Sequence, residues 1–235
     1  MMVGKGINDI NLDMPSDAHD TGKDMPTFSA YLIAIVKDST GKVIKVHKQR
    51  SHSPTANLIG LLLPLTWFNN ANIAYTITNV TGGTCPYRPN LTNCNPSITY
   101  PTTTSSYAQP TYLAMIWVGT GSQSNAYSAY KLAAPITNGT GAGQLVYGAV
   151  SPPGGIYVSG SSAYLYLSQT FSNESGAAIN ITEVGIVIQL CLQSPYNSSC
   201  SSSCQVLVWY DVLSSPISVP NQGSVTIYYT FTANP

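Results

Sequence analysis

The sequence predicts an all-β protein: a β-sandwich or jelly-roll-like domain with an extended N-terminal arm and one short buried helix. Three observations carry this expectation. About eight to ten segments with period-two or β-branched patterning recur between turns rich in Gly, Pro, Asn and Ser. Only one stretch, 54–63, has the start signal and apolar content of a helix. Residues 1–26 carry few large apolar side chains and set apart an arm (1–26) from a β domain (27–235). The arm reads either as a disordered terminus or as a segment that orders along neighbouring subunits and shares in self-assembly.

Phe28 to Val36 alternates as a strand, Asp38-Ser39-Thr40-Gly41 supplies a turn, and Lys42 to Gln49 returns. Ser53 at an N-cap and Pro54 at the first helical position then start a helix that stops before Pro64. With Leu58, Ile59, Leu61, Leu62 and Leu63 it is apolar on most sides. It is therefore expected to be buried, in the fold or against another subunit, with Pro54, Leu58, Ile59, Leu61 and Leu62 as assembly candidates. Ile73 to Thr78 reads as a strand, and 81–110 as a Pro/Thr/Cys-rich loop insertion. Further strands are expected at Tyr112–Val118, Leu145–Val150, Ile156–Ser159, Gln205–Leu213 and Ser224–Thr232. Between them Ser162 to Leu190 has the form of one long hairpin, turning at Asn173-Glu174-Ser175-Gly176. Its continuous apolar run, Val184 to Ile188, suits a central strand covered on both faces.

Charge is distributed unevenly. Of 18 Asp, Glu, Lys and Arg residues, 13 fall within residues 1–50, and the body keeps only Arg88, Lys131, Glu174, Glu183 and Asp211. A neutral polar surface suits an acidic exterior, because few carboxylates remain to protonate. It suits equally a subunit whose surface is buried against copies of itself. Lys37, Lys42, Lys45, Lys48 and Arg50 form the only basic patch. Nucleic-acid contact through Lys42, Lys45, Lys48 and Arg50 is one reading. Solvated lysines that protect an edge strand are the favoured one. The first 26 residues show no apolar region of a secretory signal. The apolar stretch 56–68 contains Pro64 and is shorter than the roughly 20 residues of a membrane span, so no membrane insertion is expected.

Five cysteines occur, at 85, 94, 191, 200 and 204. Cys85 and Cys94 flank a Pro-containing loop. Cys191 and Cys204 end one expected strand and begin the next, so these four are disulfide candidates. No Cys-x-x-Cys pair or nearby histidine points to zinc. Six Asn-x-Ser/Thr sequons are present. Asn79, Asn90, Asn138, Asn173 and Asn197 fall on expected loops and are glycosylation candidates, whereas Asn180 falls within a strand.

Nucleophile–base catalysis needs a positioned histidine, and none follows His52. Of the carboxylates left for acid–base work, Glu174 sits at a turn tip. Glu183, in a strand, reads as hydrogen-bonded to a neighbouring strand or backbone amide. The expectation is a protein without catalytic, cofactor or metal residues.

Three segments share a pattern with a known group. The first is 28–63, a strand, an Asp-Ser-Thr-Gly turn, a basic strand and SPTANLIGLLLPL. The second joins VGTG at 118–121 and YKLAAPI at 130–136 to TFSNESGAAINITEVGI at 170–186. The third is DVLSSPISVPNQGSVTIYYTFT at 211–232. Together they resemble virion structural proteins (tail, adaptor, spike or turret-associated components) of tailed phages and of archaeal viruses from hot acidic springs. The resemblance implies a self-assembling, non-catalytic protein of the virion, partnered by itself and other virion proteins and open to host surface glycans. The rival expectations are an archaeal cell-surface adhesin or pilus-like subunit, polymerising by strand donation, and a glycan-binding module that stacks sugars on tyrosines.

Overall fold

The computed structural model describes residues 27–51, 53–60, 75–87, 116–151, 157–159, 162–193 and 200–234. The expected arm and most of the 81–110 insertion lie outside them. The strands are β1 (Thr27–Lys37), β2 (Val43–Ser51), β3 (Tyr75–Thr78), β4 (Thr84–Tyr87), β5 (Ile116–Gly119), β6 (Val146–Ser151), β7 (Tyr157–Ser159), β8 (Ser162–Ser172), β9 (Ile179–Gln193), β10 (Cys200–Val219) and β11 (Ser224–Asn234). The chain is all-β, with one helical turn at 56–60.

Two antiparallel sheets face one another. The larger runs β2-β1-β11-β8-β6, with β7 also on β8; the smaller runs β10-β9-β5. Between them lies a common core. Leu32, Ala34 and Val36 of β1, Leu167 and Phe171 of β8, and Val225, Ile227 and Tyr229 of β11 come from one side. Ile181, Val184 and Ile186 of β9 and Trp209, Leu213 and Ile217 of β10 come from the other. Alternation along β1, β8 and β11 puts these side chains on the inner face, whereas on β9 the inner series changes phase between Ile181 and Val184. The strand orders give a sandwich-like pair of sheets and do not by themselves make a jelly roll.

The stretch Ser162–Leu190 corrects the sequence reading. Its arms, β8 and β9, do not pair with each other: β8 pairs with β11, and β9 with β10 and β5. The chain crosses from one sheet to the other at Asn173–Ala178. Phe171 and Ile181 then belong to one core between the sheets instead of pairing through backbone bonds. The long hairpin is β9–β10, paired from Ile179↔Val219 to Gln193↔Cys200 with three register shifts along it.

A second crossing, Pro220–Gly223, lies beside the first. Asn173 N–H donates to the Gly223 carbonyl at 2.9 Å, and Gln222 N–H donates to the Asn173 carbonyl at 2.7 Å. The Asn173 side chain completes the junction. Its Nδ2 donates to the carbonyls of Ala177 and Val219, each at 2.8 Å, while its Oδ1 accepts from the backbone and hydroxyl of Ser175. Asn173 is fully buried. The expectation that it carries a glycan is thereby corrected, because the acceptor nitrogen is enclosed and already donates twice.

The helix also differs from expectation. Pro54 is not a first helical residue but forms a β-bridge with Trp209. Thr55 precedes the turn, and its backbone N–H reaches the Val208 carbonyl while its hydroxyl reaches that of Leu207. The cause lies in β10, whose register against β9 shifts between Leu207 and Trp209. This shift leaves groups on the outer side of β10 for 53–57 to satisfy. Asn57 adds Nδ2 bonds to the carbonyls of Leu207 and Thr78.

Asn173→Ala should remove four hydrogen bonds at the junction and take from the buried Val219 carbonyl its side-chain donor. We expect a loss of about 3 kcal/mol, measured by urea unfolding. A change under about 0.5 kcal/mol, the range of an inert surface substitution, would show that the paired crossings stand without it.

Candidate assembly interface

Strand β2 ends the larger sheet, with β1 on one side and no strand on the other among the described residues. Its inward side chains are polar and are used internally. Lys45 Nζ donates to the Pro216 carbonyl at 2.9 Å. Gln49 donates to the Val212 carbonyl and accepts from Ser214 N–H. His47 bonds Gln49 at 2.9 Å. These contacts hold 212–216, where β10 leaves the β9 ladder by a register shift between Val212 and Ile217.

What β2 shows to solvent is different. Val43, Ile44 and Val46 are 45, 51 and 56 % exposed, and Lys42, Lys48 and Arg50 stand exposed around them. Three neighbouring aliphatics left open on an edge strand are an uncommon feature of a soluble surface. They were missed in the sequence because the lysines between them read as a charged strand. The signal was there in Val43-Ile44-Lys45-Val46, where two apolar residues cannot share the inner face with Lys45.

The β10 edge of the smaller sheet is covered in part. Along β10, Tyr210 N–H donates to the Ser53 carbonyl, and Val80 N–H donates to that of Gln205. Of the assembly candidates, Pro54 and Leu58 are partly buried in this cover, with Leu58 against the main core. Ile59 is 38 % exposed. The turn at 56–60 is thus only partly buried, since Ala56 and Ile59 face out. Leu61 and Leu62 lie outside the described residues.

The two body carboxylates that sit in strands are enclosed on opposite faces of the smaller sheet. Glu183, on β9, accepts Gly121 N–H at 3.2 Å and Ala134 N–H at 2.7 Å on Oε1. Its Oε2 accepts Ala133 N–H at 2.9 Å and the Tyr210 hydroxyl at 2.8 Å. This clamps 121–134 over the sheet, where Ala129 and Leu132 cover Trp117, Val187, Leu207 and Tyr210. The glycines at 119 and 121 have a spatial role here. A Cβ on Gly119 would lie 2.3 Å from Glu183 Oε1, and one on Gly121 would lie 2.6 Å from the Ala133 Cβ. Asp211 faces inward and accepts from the hydroxyls of Ser51 and Tyr229, while the Trp209 indole donates to Ser51. Each carboxylate is buried and supplied with donors, as an interior charge must be.

Burial raises the phenols of Tyr147 and Tyr210, and Glu183 adds to the effect on Tyr210. Tyr229 is raised well above its ordinary 10.0 by burial and by the neighbouring Asp211 charge. The exposed Asp38 is lowered instead, chiefly by the Thr40 hydroxyl bonded to its carboxylate at the β1–β2 turn.

The remaining candidates are scattered. Backbone pairing sets Cys191 opposite Ser203 and Cys204 opposite Leu190, one residue out of step. Cys85 lies on β4 opposite Ile77, and Cys94 lies outside the described residues. Asn79 and Asn138 are half-buried. The Asn79 Oδ1 accepts from Thr81 and Gly83 in the β3–β4 turn, and that of Asn138 accepts Tyr147 N–H. Asn180, on β9, is exposed; Asn90 and Asn197 lie outside the described residues. Among the described residues no helix is long and apolar enough to cross a membrane. No protein-family profile, curated protein or solved structure matches the chain.

Glu183→Gln should leave one side of the clamp facing N–H groups with an amide that donates. A loss of about 3 kcal/mol is expected in urea unfolding, with faster proteolysis within 121–134. Unchanged stability and cleavage would reject the clamp. The tyrosines predict alkaline lability. Their folded values are raised, so the unfolded chain loses its phenolic protons first. Stability is whole below pH 10.0 and falls as pH climbs above it through the raised values. Absorbance at 295 nm should show these tyrosines ionising together with loss of structure; smooth titration near 10.0 in a folded protein would contradict their burial.

Proposed function

We propose that this chain is a structural subunit that assembles with copies of itself and has no catalytic role. From the resemblance of 28–63, 118–186 and 211–232 to virion proteins of tailed phages and archaeal viruses, we place the assembly in a virion, as a tail, adaptor or spike component. The observation that carries the self-assembly reading is the open outer edge of β2. Its exposed Val43, Ile44 and Val46 gain most when covered by another chain. The enclosure of Glu183 and Asp211 supports a non-catalytic reading, because neither carboxylate is free to meet a substrate.

A glycan-binding role is the second reading, favoured by Tyr127, which is 58 % exposed three residues from the half-buried Tyr130. An exposed ring of this kind offers a platform for sugar stacking. As part of a virion such a site would face the host.

Native mass spectrometry of the full chain should show closed oligomers, and peptide mass spectrometry should find the protein in purified virions. A strict monomer at high micromolar concentration would overturn the self-assembly reading. Recovery from the surface of uninfected cells would replace the virion with an adhesin. Binding of the monomer to a glycan array, abolished by Tyr127→Ala, would establish the second reading in its place.

A further inference from the structure

The charge of this protein is segregated into two segments of opposite sign. Residues 1–26 hold Asp9, Asp13, Asp17, Asp20 and Asp24 against Lys5 and Lys23. The end of β1, the β1–β2 turn and β2 hold Lys37, Lys42, Lys45, Lys48 and Arg50 against Asp38. Beyond residue 52 the cations are Arg88 and Lys131 alone. An acidic arm therefore has one concentrated basic partner surface in the chain, and that surface lies on the open edge of the larger sheet.

We propose that the N-terminal arm of one subunit docks along the outer edge of β2 of a second subunit, as an added strand. This rests on the self-assembly reading and names the surface that serves it. Three observations converge. The edge has no neighbouring strand among the described residues, so its outward backbone groups are available to a ladder. The arm contains a period-two pattern, Asp9-Ile10-Asn11-Leu12-Asp13-Met14, with apolar residues on one face and Asp9 and Asp13 on the other. As an added strand it sets Ile10, Leu12 and Met14 beside the exposed Ile44 and Val46 and turns Asp9 and Asp13 to the opposite face, toward Lys45, while Lys42, Lys48 and Arg50 add to the positive field of the edge. Pro15 ends the pattern, as it would end a ladder.

Charge also selects against the simplest alternative. Two β2 edges brought together would oppose lysines to lysines, so a symmetric edge-to-edge dimer is disfavoured. Arm-to-edge contact is heterologous, each subunit giving one arm and receiving another. Reach is not limiting: 26 residues span up to about 85 Å when extended, whereas the nine residues of β2 cover about 30 Å.

The test mixes ¹⁴N- and ¹⁵N-labelled full-length subunits and joins carboxylates to amines with a zero-length carbodiimide. The expected result is mixed-isotope peptides linking Asp9, Asp13 or Asp17 to Lys42 or Lys45, lost at 1 M salt as charge contacts are screened. Lys42→Glu with Arg50→Glu should cut the yield about tenfold, since like charges then oppose each other. Adding Asp9→Lys and Asp13→Lys should restore the contact, now read as mixed oligomer by native mass spectrometry; a misfolded variant could not be rescued this way. Oligomers without arm-to-β2 links, or unaffected by deleting 1–26, would overturn this proposal and leave self-assembly standing. Links only within one chain would assign the edge to the subunit's own arm and overturn it too. A monomer without links would remove both.

Discussion

The two sheets hold their relative positions because two chain crossings lie against one another and share one asparagine. β8 passes to β9 and β10 passes to β11, so the same four strands build the middle of one sheet and most of the other. A slip in either crossing would move β8 against β11 and β9 against β10 together. Because side chains alternate, a one-residue slip would turn Phe171 and Ile181 out of the core. Asn173 opposes this with bonds to both crossings from one rigid side chain. Burying its amide is tolerable because both ends of it find partners.

The interior uses polarity in the same economical way. Asp211 ties β10 to β2 and β11 across the core, and Glu183 holds a covering segment onto the reverse face of the same sheet. Hydroxyls and backbone N–H groups meet these charges among the described residues. The scarcity of cations after residue 52 is consistent with that arrangement. The body has few charges to place on its surface, among them the exposed Lys131 and Glu174, and the charged segments near the N-terminus contrast with it.

Much of this was legible in the sequence, for identifiable reasons. The alternation of Val225, Ile227, Tyr229 and Phe231 marks β11, and the run Val184–Ile188 marks a strand covered on both faces, as Val184 and Val187 show by lying in separate clusters. The bonding of Glu183 to backbone amides also followed from its lonely place in an apolar strand. Pairing was less legible. An Asn-Glu-Ser-Gly turn between two strand patterns reads as a hairpin, and alternation is identical whether strands meet by backbone or across a core. The strand β4 was missed because Pro86 interrupts it. The helix start was placed too early because the carbonyls that hold Thr55 belong to β10, about 150 residues further on. Asn173 read as a glycan site because a sequon says nothing about burial.

The pairing of β1 with β11 has a consequence for the time at which the protein can become itself. β1 ends at Lys37 and its partner begins at Ser224, so nearly the whole chain must be synthesised before the larger sheet can close. At ordinary rates of translation the β1–β2 hairpin waits roughly ten to forty seconds for its neighbour. During that interval Leu32, Ile33, Ile35 and Val36 stand open on a two-stranded ribbon, which is hazardous for a nascent chain. The lysines of β2 then act as guards, repelling the hairpins of neighbouring nascent chains until β11 arrives.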